Sequence, residues 1–222
     1  MNHDTHTLRE FDAALSSLHT HLLQMAYKAQ AALDLAMEGL LQRNESAANQ
    51  AIADDEELDE LEMAVDREGM HLLAFFAPVA SDLKVVLASI RMSAMYERMG
   101  DEAVTIAKRA NKLAKRQPVP EVSQAVPVYQ LLAGHFRSVN RAVSSWDVQA
   151  LSREASALAD VTRQAEELTE AWTCLPERYQ DELASVADMI FVSRSLERVT
   201  EGLQKVVAEV LYTVGNPLPD PL

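Results

Sequence analysis

Glu97 and Asp101 stand four residues apart, and Asp55 and Asp59 have the same spacing. In a helix that spacing places two carboxylates on one face, one turn apart. Between the two pairs lies a turn signal at Ala77–Pro78. Asp59 is about 18 residues before it and Glu97 about 19 after; Asp55 and Asp101 are about 22 and about 23 away. Two antiparallel helices joined at this turn bring all four carboxylates to matching heights. An all-oxygen cluster of this kind suits hard or borderline cations such as Mg, Mn or Fe. Glu197 and Glu201 repeat the spacing, but the helix before them offers only Asp160 and Gln164. The first half is therefore expected to be the better cation site.

The same residues carry a second reading. The apolar stripe Met92, Tyr96, Met99, Ala103 and Ile106 lies roughly 100° round the helix from Glu97 and Asp101. Border carboxylates of this sort are also found solvated, or paired with a neighbour such as Arg98. Arg98 and Arg198 are expected to make structural ion pairs rather than to bind phosphate. Glu68 and His71 have the E-x-x-H spacing of di-iron bundles, but no second copy exists, which makes His71 an incidental helix residue. Cys174 has no obvious basic neighbour and is expected to be inert. His3 and His6 belong to the N-terminal end. Lys108, Arg109, Lys112, Lys115 and Arg116 form a basic run that complements the end of their helix, or offers an electrostatic contact to a partner. No phosphate loop, nucleophile elbow or dinucleotide fingerprint is present.

These side chains must be positioned by helices. The chain has 222 residues, 48% apolar and only 5% aromatic, with nine Met and six Gly. Unbranched side chains and Ala lose little freedom in a helix, whereas strands favour β-branched and aromatic residues, so an all-β fold is excluded. Proline-free runs between the eight prolines predict helices over 5–43, 46–75, 78–116, 123–145, 147–172 and 178–214. A formal net charge of −14 argues against nucleic-acid binding. One cysteine cannot form an internal disulfide, and no window is long and apolar enough for a membrane span. A cytoplasmic protein is the expectation, with peripheral membrane contact left open.

The two halves are alike. Shifted by 100 residues, Asp82-Leu83 falls on Glu182-Leu183, Ile90 on Ile190, Glu97-Arg98 on Glu197-Arg198 and Asp101 on Glu201. The chain is thus expected to be all-α: two tandem antiparallel three-helix bundles related by an internal pseudo-two-fold, over 1–117 and 118–216, with a proline-rich tail at 217–222.

The duplicated E-R-x-x-(D/E) element in the last helix of each half resembles that of the PhoU family of bacterial phosphate-signalling regulators. In the first copy the matching positions include Pro78, Val79, Ala80, Asp82, Leu83, Glu97, Arg98, Gly100, Asp101, Ala103, Ile106 and Ala107. Lys84 replaces the family's Arg, and Glu102 its His. The second copy keeps Leu196, Glu197 and Arg198 but has Thr200, Glu201 and Gly202 where the family has Gly, Asp and His. The resemblance implies a non-enzymatic adaptor between a phosphate ABC transporter ATPase and a sensor histidine kinase, damping uptake and starvation signalling. It also implies a homodimer, and in some members a divalent or iron cation held by E/D-x-x-x-D pairs. Two alternatives are a metal-loaded helical protein and an accessory to another ion carrier.

Overall fold

The structure is a computed structural model that describes residues 3–215, with side chains from Arg9 onward. The side chains of His3 and His6 and the tail 217–222 lie outside the described residues. Helices are joined by short turns, and no strand is present among the described residues.

The first helix, α1 (His3–Leu41), runs for 39 residues. Asn44 then caps α2 (Glu45–Ala53), its side-chain oxygen accepting from the backbone N–H groups of Ser46 and Ala47 at 3.1 and 3.2 Å. Gly39 lets this short helix lie close on α1, since a Cβ there would sit 2.7 Å from the Ala48 Cβ and 3.0 Å from its backbone nitrogen. The single helix expected over 46–75 is in fact two. It breaks at Asp54, and α3 (Asp55–Phe76) begins with Asp55, Glu56 and Glu57. Three acids in a first turn favour a new N-terminus there, where the helix dipole is positive.

Ala77 ends α3 in the left-handed region, and Val79 is extended. The chain then doubles back into α4 (Ala80–Ala114), which starts two residues beyond Pro78. A one-turn helix at Pro120–Gln124 leads into α5 (Ala125–Ser144). Asp147 caps α6 (Val148–Thr173) by accepting from the Ala150 N–H at 3.0 Å. Residues 178–182, expected to be helical, form a turn after the short helix Leu175–Glu177, so α7 spans Leu183–Thr213.

In the first half α4 packs on α1 and α3; in the second α7 packs on α6 and α5. The halves join where α4 lies against α7 and α1 against α5. Buried apolar residues of both halves form one cluster. Inside it, Asn140 of α5 donates to the Ala26 carbonyl and to Gln30 at 3.0 and 3.1 Å, pinning α5 to α1. We propose residue 117/118 as the boundary between the repeats, because the linker leaves α4 there.

The seam between α4 and α7 is antiparallel and polar at its edges. Arg91 pairs with Glu209 at 3.0 Å and Arg198 with Glu102 at 3.0 Å. Arg109 and Arg116 both reach Asp188, at 2.8 and 2.6 Å. Arg109 also lies over the Phe191 ring, 4.2 Å from its centroid.

Candidate functional site

The α3–α4 hairpin brings Asp55, Asp59, Glu97 and Asp101 into one acidic cluster, and the sequence spacing placed them at the right heights. Two glycines allow the helices to approach. A Cβ on Gly100 would lie 2.2 Å from Leu58 Cδ2, and one on Gly69 would lie 2.5 Å from Ile90 Cδ1. The break at Asp54 sets Asp55 in the first turn of α3, level with Asp101. A fifth carboxylate, Glu62, joins them. It lies one turn beyond Asp59 and four residues before Asp66, but counting outward from Pro78 gives that pair no acidic mate on α4.

The carboxylates act on each other. Partial burial pushes Glu97 up to about 7, helped by the charges of Asp101, Glu62 and Asp59 and by a hydrogen bond to Asp101. Asp55 is raised by burial and then by Asp59 and Asp101, with Lys108 opposing. Glu62 is raised by burial, Asp66, Asp59 and Asp101, with Arg98 opposing. The group is therefore an excess of negative charge that the chain itself only partly offsets. A protein pays for such crowding, and either a shared proton or an added cation relieves it. As placed, no three His, Cys, Asp or Glu side chains among the described residues converge closely enough to hold a metal ion.

The second half is built differently. Glu197 is buried at 7% exposure, and both its oxygens are taken: Oε1 by the Thr169 hydroxyl at 2.5 Å, Oε2 by Arg194 at 2.7 Å. Glu201 is exposed. Facing them, α6 presents Thr169 and Thr162, the latter accepting from Gln204 at 3.1 Å. Asp160 points away and pairs with Arg163 at 3.5 Å. The structure thus brings the first-half residues together, gives Glu197 no acidic partner on α6, and leaves Glu201 at a groove shared with Asp101 and Glu102 of α4.

The remaining candidates resolve individually. Glu68 accepts from Ser17 at 3.0 Å and meets His21 Nδ1 at 2.9 Å, while His71 stacks on Phe75. Arg198 makes its expected ion pair with Glu102, which also accepts from Ser195 at 2.6 Å. Arg98 makes none among the described residues. Two of the five residues of the basic run, Arg109 and Arg116, are engaged at the seam, and Lys115 lies 3.8 Å from Glu45. Cys174 is exposed. No helix among the described residues is long and apolar enough to cross a membrane.

The family described as the PhoU domain matches residues 22–110, which include the acidic cluster. The phosphate-specific transport system accessory protein PhoU homolog of Xylella fastidiosa is 29% identical over 217 residues, covering 97% of this chain and 89% of its own. PhoU homolog 2 of Mycobacterium bovis is 27% identical, covering 92% and 96%. Among solved structures, PhoU from Pseudomonas aeruginosa shares the fold with a TM-score of 0.88 at 23% identity, over 92% of this chain and 98% of that one. The phosphate transport system regulatory protein PhoU from Streptococcus pneumoniae gives 0.84 at 20%, over 95% and 100%.

Proposed function

The chain belongs to the PhoU family, and on that premise we propose that it is a negative regulator of phosphate uptake and phosphate-starvation signalling. It acts in the cytoplasm as a non-enzymatic helical adaptor between a phosphate ABC transporter ATPase and a sensor histidine kinase. The observation that carries this reading is the likeness to phosphate-transport accessory proteins along nearly the whole chain, not along one motif. A homodimer is part of the proposal. The test is a deletion strain. Phosphatase expression in phosphate-rich medium should become constitutive and return to repression when the gene is restored. Normal repression and normal uptake without the gene would sink the reading.

A second reading is favoured by the mutual repulsion within the first-half cluster. We propose that Asp55, Asp59, Glu62, Glu97 and Asp101 are the residues that would hold a divalent or iron cation. Their all-oxygen chemistry suits such an ion, which would offset the crowded negative charge around Glu97. Glu197 and Glu201 are left out of this set because Thr169 and Arg194 already occupy Glu197. Elemental analysis of protein purified without a His tag or chelator tests it, with Glu97→Ala/Asp101→Ala alongside. Stoichiometric metal lost in the double variant supports the site, and equal metal in both samples refutes it.

A further inference from the structure

The α4–α7 seam has a pseudo-two-fold that can be read residue by residue. Under the shift of 100, the pair Arg91–Glu209 maps onto residues 109 and 191. Those are Arg109 and Phe191, which are indeed in contact at 4.2 Å. The same operation maps Glu102, Arg198 and Ser195 onto Gly202, Arg98 and Met95. On one side of the axis the Glu102 carboxylate is held by Arg198 at 3.0 Å and by the Ser195 hydroxyl at 2.6 Å. On the other side the carboxylate is missing, because residue 202 is glycine. A groove of about 320 Å³ straddles the axis here: Met95, Arg98, Met99, Gly202 and Lys205 line its open side, and the Glu102–Arg198 pair lines the other.

Arg98 makes no ion pair or side-chain hydrogen bond among the described residues, and its electrostatic pull is on Glu62 of α3. From the geometry we infer that this groove is an oxyanion site, in which Arg98 receives from outside the carboxylate that Glu102 supplies to Arg198 from within.

The lining is balanced in charge, Asp101, Glu102 and Glu201 against Arg98, Arg198 and Lys205, and of these Glu102 is already held by Arg198 and Ser195. Asp101 and Glu201 also line the groove, but they are mates of each other and flank both halves alike. The Glu102–Arg198 pair forms beside them regardless. The open half differs from the filled one by losing a carboxylate and gaining Lys205, where the mate is Thr105. Both changes favour an incoming anion. A planar guanidinium recognises carboxylate and phosphate oxygens alike, so the ligand is an oxyanion of that size, either a free ion or an acidic side chain of a bound protein.

The test follows the Arg98 Nε–H resonance by NMR at constant ionic strength, with chloride as the balancing anion. Inorganic phosphate is titrated in one arm and N-acetylglutamate amide in the other. A saturable shift is expected in the wild type. It should weaken roughly tenfold or more in Lys205→Gln, because charge-assisted contacts are of that strength. Arg91→Gln, which removes an arginine from the same helix outside the groove, should bind within about twofold of the wild type. A rebuilt variant, Gly202→Glu with Met99→Val, restores the mate's residues at both positions. The valine removes the clash, since a Cβ at 202 meets Met99 Cγ at 2.7 Å. It should abolish binding by filling the site. Tighter binding of phosphate assigns a free ion; saturation by the glutamate probe alone assigns a partner's side chain. A shift that stays linear for both probes, or that Lys205→Gln and the rebuilt variant leave unchanged, overturns the site.

Discussion

The Thr169 hydroxyl donates to Glu197 at 2.5 Å from a neighbouring helix, so the second repeat answers its own glutamate with a hydrogen bond where the first repeat faces carboxylate with carboxylate. Thr169→Val keeps the shape and removes the donor. It leaves a buried carboxylate oxygen unpartnered, and a loss of about 1–3 kcal/mol is expected. Urea denaturation reads this directly. A midpoint unchanged from the wild type would mean that Glu197 is solvated in solution.

The first repeat should show its crowding as pH dependence. Glu97 ionises near 4.5 in an unfolded chain and is pushed up to about 7 in the fold. Below the lower value both states are protonated and nothing is lost. Between the two, the unfolded chain ionises first, so stability falls as pH rises and then stays low. Asp55 and Glu62 are raised as well and act with the same sign. Glu97→Gln should flatten this fall and, well above pH 7, stabilise the protein by about 1 kcal/mol after allowance for solvent screening. Thermal melts across this range decide it, and parallel curves for the two proteins would contradict the assignment.

Asp188 is 4% exposed and holds the guanidinium groups of Arg109 in α4 and of Arg116 in the turn after it. Asp188→Asn retains the shape but strips the charge that both arginines face. A cost of about 2 kcal/mol is expected, because Asp188 is buried but the two arginines it leaves behind stay partly in water, at 25% and 36% exposure. For a chain of this size that is a drop of roughly 4–8 °C in Tm. Calorimetry would show it, and a shift under a degree would make the clamp ornamental.

Two glycines on helices should respond in opposite directions to alanine. At Gly39 the added methyl meets Ala48 Cβ and backbone, which cannot swing aside, and a loss of about 1–3 kcal/mol is expected. At Gly134 nothing lies within 4 Å of the added Cβ, so Gly134→Ala should gain about 0.5–1 kcal/mol from helix propensity alone. The comparison of the two Tm values is the measurement, and a loss at Gly134 would reveal a neighbour absent from the fold described above.

Much of this was visible in the sequence, for identifiable reasons. Prolines and polar turns located most helix ends, because each removes a backbone hydrogen bond or a helical conformation. The heights of Asp55, Asp59, Glu97 and Asp101 followed from counting outward from Pro78, since two antiparallel helices rise equally per residue. The break at Asp54 was missed, because Asp-Asp-Glu-Glu reads equally well as helix interior and as the acidic first turn of a new helix. Glu62 was missed because, although it stands four residues before Asp66, the count outward from Pro78 places no acid of α4 level with it. The closure of Glu197 depended on Thr169, 28 residues away, and on a register between α6 and α7 that no turn-centred count supplied. Arg98 was expected to be paired like Arg198. Its difference depends on a single glycine on another helix.

The α4–α7 seam has one more consequence. Two similar halves facing each other across their own axis amount to a dimer contained in one chain. In a true homodimer every substitution appears twice, once on each side of the axis, so a change that suits one side must be tolerated by the other. Joined in one polypeptide, the halves stay at high effective concentration while each position is inherited separately. Residue 102 can keep a carboxylate while residue 202 gives one up, and one acidic cluster can persist while its counterpart is sealed. The covalent link is what permits a symmetric scaffold to carry two unlike faces.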